Sequence, residues 1–426
     1  MPTCAFVTLG CKVNQYDTQA IREALARRGY REVGADQAAD LYVVNTCCVT
    51  RRSHRRGLRE IRRLARRHPA ATLVVTGCSV DAGEDELAAI AGVDRLAPNA
   101  QKPMLAALVA GDGGDVAAPP DRWPGIAAFA GHSRAFVKVQ DGCESFCSYC
   151  IVPRVRGPVR SRPPGEVEEE VGRLVDAGYL EVVLTGIHLG FYGRDSGGRW
   201  GLVPLVARVA ETPGLRRLRL SSIEIGEVSD ELLALMARSP VVCPHLHIPL
   251  QSGDDRVLEA MNRRYTARQY LARLDAVRRR LDEPALTTDI LVGFPGETEA
   301  EFRRTVEVAR RAAFSRLHVF PYSDREGTAA FAMGHKVPPA AIDARRREML
   351  GVAAELGTAY HRRFVGRVVE PLVESRRDRR TGLLCGYTPR YVRCLFEGTD
   401  ALFGRLARVR GRRALARGLR AAAVRA

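Results

Sequence analysis

Along its first 325 residues or so, the chain repeats one pattern: a short apolar run, then a longer stretch with helical spacing. The first such runs are "CAFVTLG", "LYVVNT" and "TLVVTG", separated by "DTQAIREALARRGY" and an arginine-rich helical segment. Apolar runs joined by helical crossovers mark parallel sheet, because parallel neighbours need a long connection between them. Residues 1–106 therefore read as a small parallel α/β domain. Residues 107–133, rich in Gly, Pro and Ala without a lasting period, read as a linker. Within 134–360 the alternation returns at longer wavelength, with strand candidates "AFVKVQ", "EVVLTG", "RRLRLSS", "HLHIPL", "LTTDILVGF" and "RLHVFPY". These predict a parallel (β/α) sheet curled into a partial barrel. From 361 to 426 the runs shorten to "GRVVEPLVES", "YVRCLF" and "RLARVRGR", which predict a small antiparallel barrel of OB-like size.

Three of the early runs end on a cysteine: Cys11 after "FVTLG", Cys47 after "LYVVNT" and Cys78 after "TLVVTG". If the runs are neighbouring parallel strands, the three thiols meet beyond the carboxyl ends, where open α/β sheets place their ligands. Free cysteines also fill cores, and Cys4, Cys243, Cys385 and Cys394 are assigned to packing. Cys48 adjoins Cys47 and is a candidate to replace it.

The second trio is local. "QDGCESFCSYCIVPRVRG" spaces Cys143, Cys147 and Cys150 as CxxxCxxC. Nothing resembles a secretory signal, and no apolar run reaches the roughly 18 residues of a spanning helix, so a cytoplasmic, non-membrane setting is expected. Eleven cysteines in a reducing compartment point to metal rather than disulfides. Structural zinc takes four ligands, and no fourth Cys or His stands nearby. A 4Fe-4S cubane held by three thiolates keeps one iron open for an outside ligand, such as the amino and carboxylate groups of S-adenosylmethionine.

With Tyr149 before its last Cys, this motif resembles the radical S-adenosylmethionine superfamily. "TLGCKVNQYDTQ", "VVNTCCVT", "VVTGC", "LTGIHLGFYG", "LSSIE", "CPHLHIPLQSGDDRVLEAMNRRYT", "TTDILVGFPGET" and "HVFPYSDREGT" together resemble the methylthiotransferase family from about residue 8 to nearly 330. "VVEPLVES" and "GYTPRYVRC" resemble that family's C-terminal TRAM domain. "GIHLG" and "CSYCIVP" are most similar to the branch that methylthiolates C2 of threonylcarbamoyl-adenosine on the 3′ side of the tRNA anticodon. Branches acting on isopentenyl-adenosine or on a ribosomal-protein aspartate are the alternatives. A zinc-dependent RNA-binding protein without turnover is the alternative from another class. The third N-terminal motif departs from the family, reading "TGCSVDAG" where a Gln usually follows.

The resemblance implies a Rossmann-like N-terminal domain, a partial (β/α)6 TIM-type barrel and a TRAM β-barrel. It implies that Cys11, Cys47 and Cys78 hold one 4Fe-4S cluster and that Cys143, Cys147 and Cys150 hold a second, which coordinates S-adenosylmethionine. One S-adenosylmethionine then donates a methyl group to sulfur, and another yields the radical that takes hydrogen from C2. The implied partners are the tRNA anticodon stem-loop, an electron donor of flavodoxin or ferredoxin type, and a sulfur donor.

Around the cysteines, Tyr149, Gly186, Ser222, Glu224, His247, Gln251 and Asp289 lie at or near strand ends and are candidate cofactor-binding residues, each with a purely structural alternative. "GFPGET" lacks the Lys of a P-loop and reads as a turn into a helix. The net charge of +17 is uneven: residues 361–426 hold 17 Arg against 5 acidic residues, and residues 51–67 hold 9 Arg against one Glu. Such clusters suit a polyanion. Arg154 and Arg156 are candidates to contact tRNA phosphates or to offset the charge of the cluster. Tyr387, Arg390 and Tyr391 are candidate RNA contacts, the tyrosines by stacking on bases or, alternatively, as core.

Overall fold

The computed structural model describes residues 1–111, 123 and 125–424. Of the expected linker, 107–133, residues 112–122 and 124 lie outside the described residues, while 107–110 belong to a helix, Leu105–Ala110.

The N-terminal domain is a five-stranded sheet in the order β2-β1-β3-β4-β5, parallel throughout, with β1 Thr3–Thr8, β2 Arg31–Glu32, β3 Leu41–Thr46, β4 Thr72–Gly77 and β5 Arg95–Ala97. α1 Lys12–Arg27 follows β1 and α2 Arg51–Arg67 follows β3. Thr50 caps α2, its hydroxyl accepting from the Ser53 amide at 3.1 Å. The sheet is covered on both faces, by Leu58, Ile61 and Leu64 of α2 on one side and by Ile21 and Leu25 of α1 on the other. Two-sided burial is why β3 reads as a continuous apolar run with every residue buried.

The central domain carries β6 Ala135–Lys138, β9 Glu181–Thr185, β10 Arg217–Leu220, β11 His245–His247, β12 Ala285–Val292 and β13 Arg316–Pro321 in spatial sequence, all parallel. Single bridges, Leu218 to Val242 and Ser222 to His247, join the two halves. A short hairpin of β7 Gln140–Asp141 and β8 Arg160–Ser161 brackets the CxxxCxxC loop. Leu218, Leu220, Leu246, Leu286 and Ile290 pack outward into the main core. By the two-residue period of a strand, Arg219, His245, His247, Thr287 and Asp289 take the opposite, inner face. The lumen of the open barrel is therefore polar.

The C-terminal domain is a six-stranded sheet ordered β14-β18-β19-β17-β16-β15, with β14 Val368–Val369, β15 Leu372–Val373, β16 Leu384–Tyr387, β17 Arg393–Phe396, β18 Val409–Leu415 and β19 Gly418–Ala423. One feature departs from the antiparallel expectation: β19 returns beside β17 and pairs with it in parallel. The loop Thr388–Tyr391 plugs the end where the barrel strands begin, and Arg219 donates to the carbonyls of Pro389 at 2.8 Å and Thr388 at 3.2 Å.

A buried ionic seam fastens the first two domains. Asp17 of α1 meets Lys102 at 3.0 Å, Lys138 of β6 at 2.7 Å and Arg156 at 3.4 Å. Residues 125–133 dock beside it: Glu23 accepts the amides of Ala127 and Ala128, and Ile126 and Phe129 are buried.

Candidate active site

β1, β3 and β4 are adjacent in the sheet, so the turns after them open side by side. Two glycines let the backbones come close enough. Gly10, before Cys11, has φ +105°, and a Cβ there would lie 2.7 Å from Cys47 Cβ. Gly77, before Cys78, has φ +96°, and its Cβ would strike the Thr46 carbonyl. Any side chain at either position would push the turns apart. Cys11, Cys47 and Cys78 converge there. Cys48 faces elsewhere: it is fully buried, and its thiol donates to the Cys78 carbonyl at 3.2 Å.

The second trio lies across a short bridge. The helix Val152–Arg156 starts two residues after Cys150, and Ile151 and Val155 pack on Cys48 and Cys78. Asn99 of the first domain donates to the Val155 carbonyl at 2.8 Å. Arg156 ends the bridge. Its guanidinium donates to Cys78 Sγ at 3.3 Å and to both Asp141 carboxylate oxygens, at 3.3 and 3.2 Å, and also bonds Asn14. It is buried at 5% exposure, so it cannot touch a tRNA phosphate; of its two candidate roles, only compensation of charge at the thiols is open to it. Arg154 is exposed and lies against Gly327.

Cations also meet the second trio. Arg263 donates to Cys147 Sγ at 3.4 Å and pairs with Glu224. His188 Nδ1 lies 3.5 Å from Cys143 Sγ and 3.0 Å from Ser145 Oγ, while Nε2 is 2.7 Å from Glu227 and the ring stacks on Phe191. Burial would lower the pKa of this imidazole, but its bonds to Cys143 and Glu227 raise it to about 9. The same contact overcomes burial at Cys143 and lowers its thiol, whereas burial pushes Cys47 up to about 11 and Cys150 up to about 12. Thiols of that kind ionise only with a bound cation beside them.

Among the described residues, His247, Asp289 and His318 are the group of three whose donor atoms all lie within 4.8 Å of one another. Neither cysteine trio falls within that limit; each offers three thiolates, one short of the four protein ligands of a structural zinc site and suited to a 4Fe-4S cubane with one open iron. In the His–Asp–His group, Asp289 already accepts from both imidazoles, at 3.3 Å from His247 Nε2 and 3.0 Å from His318 Nδ1.

Comparison with known proteins decides the family. The Radical SAM superfamily model matches residues 137–309, and a model described as uncharacterized protein family UPF0004 matches residues 3–97. The threonylcarbamoyladenosine tRNA methylthiotransferase MtaB of Bacillus subtilis is 37% identical over 96% of this chain and 94% of its own. The chain belongs to the radical SAM methylthiotransferases. The MtaB protein of Chlamydia pneumoniae is 38% identical over 88% of this chain and 87% of its own. A tRNA-2-methylthio-N(6)-dimethylallyladenosine synthase of Salinispora arenicola is 37% identical over 89% of this chain and 79% of its own. The radical S-adenosylmethionine methyltransferase TsrM of Kitasatospora setae shares the fold, with a TM-score of 0.55 and 17% identity over 75% of this chain and 73% of its own.

The remaining candidate residues of this methylthiotransferase divide by position. Tyr149 packs with Val257, Met261, Leu291 and Phe294 behind the cysteine loop. Gly186 leaves room for Gln140, whose side-chain oxygen accepts the His188 amide at 2.8 Å. Ser222 is exposed, Glu224 holds Arg263, and Gln251 sits at φ +64° beside Asp289, its amide donating to the Asp289 carbonyl. Tyr387 and Tyr391 stack at 5.0 Å and line a groove of about 620 Å³ with Phe136, Arg376, Arg379 and Arg393. Arg390 instead clamps the C-terminal domain to the barrel, donating to Asp282 Oδ2 at 2.8 Å and the Glu283 carbonyl at 3.1 Å. His188 and Arg263 escaped the sequence reading. The signal for the first was in "GIHLG", two residues beyond Gly186, and for the second in "NRRYT".

Proposed function

We propose that this methylthiotransferase modifies tRNA, placing a methylthio group on C2 of N6-threonylcarbamoyl-adenosine on the 3′ side of the anticodon. Cys11, Cys47 and Cys78 hold one 4Fe-4S cluster, and Cys143, Cys147 and Cys150 hold another that binds S-adenosylmethionine. The observation that carries this reading is the pair of three-thiol sites joined by the single turn Val152–Arg156: a transfer that needs both a radical and a sulfur needs two open-iron sites near each other. When bound, the clusters supply one-electron cleavage of S-adenosylmethionine and a resting place for the transferred sulfur.

The chain's own residues do the rest. Arg156 and Arg263 each direct N–H groups at one thiol of a trio, and His188 lies beside a third. Such contacts offset the negative charge that thiolates bring into a buried site. The apolar packing around Tyr149 keeps water from the back of the loop. An aromatic C–H carbon offers no leaving group and no acidic proton, so no general base is asked of the polar lumen.

The groove that Tyr387 and Tyr391 line fits single-stranded RNA, with faces for base stacking and free cations at its rim. Arg376 and Arg379 have no ion-pair partner among the described residues, whereas Arg393 is tied to Asp378. Changing Arg376 and Arg379 together to Ala is expected to weaken tRNA binding and to lower the slope of log K against log salt by about two. Arg390→Ala should loosen domain docking and leave that slope nearly unchanged. Filter binding across a salt series reads both.

Nucleoside mass spectrometry of tRNA from a deletion strain tests the substrate. Loss of 2-methylthio-threonylcarbamoyl-adenosine, restored by the intact gene, supports the reading. Loss of the isopentenyl-type nucleoside instead would move the enzyme to the other branch. An electron donor of flavodoxin or ferredoxin type and a separate sulfur donor complete the proposed system.

A further inference from the structure

α2 carries more positive charge than its fold can use. Arg52, Arg55, Arg59, Arg62 and Arg66 are all exposed and follow one another at intervals of three and four residues. Residues so spaced share one face, here an arc of about 80° at about 100° per residue. The opposite face, with Gly57, Leu58, Ile61, Leu64 and Ala65, is buried against the domain. Among the described residues, none of these arginines has an ion pair or a side-chain hydrogen bond. The carboxylates nearby are already taken: Glu60 and Asp36 by Arg63, at 2.9 and 3.5 Å, and Glu86 by His54 at 2.8 Å.

An arginine-rich composition does not by itself leave a face bare in this way. On the helix Glu299–Ala312, Arg303 pairs with Glu299 and Glu348, Arg304 with Asp254, and Arg310 with Glu355. The outer face of α2 has no such partners, and its first turn holds Arg51 and Arg52 with no acidic residue. Cations in a first turn oppose the helix dipole, and like charges three or four residues apart repel. The stripe therefore works against the helix that carries it, and an external polyanion reverses the sign of that effect.

Position and composition narrow the choice of anion. The Arg51 amide at the start of α2 donates to Ser323 Oγ at 3.2 Å, and Ser323 stands two residues beyond β13. α2 thus begins where the barrel strands end, the side on which such barrels place their chemistry, and extends about 25 Å from there. It contains no Phe, Tyr or Trp to stack on a base, unlike the groove of Tyr387 and Tyr391. Guanidinium groups without aromatic faces beside them grip backbone phosphates whatever the bases are. We propose that the outer face of α2 binds the phosphates of the anticodon stem, the paired arm behind the loop that is modified. The proposal rests on the tRNA reading above and adds to the groove a second RNA surface, one for the stem.

The test compares reconstituted wild-type enzyme with a triple variant, Arg55→Gln, Arg59→Gln and Arg62→Gln, by filter binding across a salt series. Two RNAs are used, a complete anticodon stem-loop and the same loop as an unpaired strand. On the stem-loop the variant is expected to bind more weakly and to lower the slope of log K against log salt by about three. Its binding of the unpaired strand should match that of the wild type, and its thermal midpoint should be no lower, since repulsion along the face is relieved. The corresponding triple Arg→Lys variant should keep the wild-type slope, because a point charge suffices for a phosphate. An unchanged slope on the stem-loop overturns the proposal. Equal weakening on both RNAs overturns it by assigning the arginines to the loop, and a lower thermal midpoint overturns it by giving them a structural role. Undiminished RNA binding with weakened binding of an acidic flavodoxin overturns it in favour of a protein partner. Wild-type enzyme that binds and modifies no tRNA stem-loop removes the tRNA reading and the stem surface with it; wild-type modification with an indistinguishable Gln variant removes the stem surface only.

Discussion

Cys78→Ala is expected to yield an enzyme that still cleaves S-adenosylmethionine reductively but transfers no methylthio group. Cys78 stands at the end of β4, in the N-terminal domain, and the CxxxCxxC loop is held by its own hairpin, by Arg263 and by His188. Two thiolates cannot grip a cubane as three do, so iron and acid-labile sulfide in anaerobically reconstituted protein should fall by about half. 5′-Deoxyadenosine formation should persist, and methylthiolated nucleoside should drop below detection. Loss of both products would show that the two trios do not divide the work in this way. A wild-type protein with zinc and little sulfide would instead favour an RNA-binding protein without turnover.

Arg156→Gln is expected to have the largest effect on stability of any single change in the seam. The side chain is almost wholly buried among Asp17, Asp141, Asn14 and Cys78. Removing one partner from a buried ionic cluster strands the others, at a cost of about 3–5 kcal/mol. Urea denaturation of the cluster-free protein reads this as a lower midpoint. The same network sets an acid limit. Burial alone would raise the carboxyls of Asp17 and Asp141, but Lys102, Lys138 and Arg156 around Asp17, and Lys138 and Arg156 around Asp141, overcome it and hold both well below the usual carboxylate range. Their folded pKa values are depressed, so this stabilisation is present above the unfolded pKa of about 3.9 and is lost as pH falls toward the folded values. Arg156→Gln raises those folded values, and its acid-unfolding midpoint should move to higher pH than that of the wild type.

The cysteine geometry was legible because it follows from strand order alone. Three apolar runs with helical crossovers make adjacent parallel strands, and the residues just past them must meet. Burial was not legible. "PRVRG" reads as an exposed basic turn, and only the docking of α1 against β6 shows that Arg156 faces inward while Arg154 faces out. The partner of Arg390 was not legible either: a C-terminal arginine in a basic tail gives no hint that Asp282, 108 residues away, pairs with it. The parallel pairing of β17 with β19 escaped notice because pairing order depends on how the small barrel closes, which short runs do not encode.

The turn from Ile151 to Arg156 acts as a caliper. Successive residues of a helix advance about 1.5 Å and rotate about 100°, so the separation and mutual facing of the two cysteine trios are written into the number of residues between Cys150 and Arg156. That spacing is fixed before any RNA arrives. One alanine inserted after Val152 would swing Arg156 roughly 100° away from Cys78 and uncouple two sites whose own cysteines were left untouched.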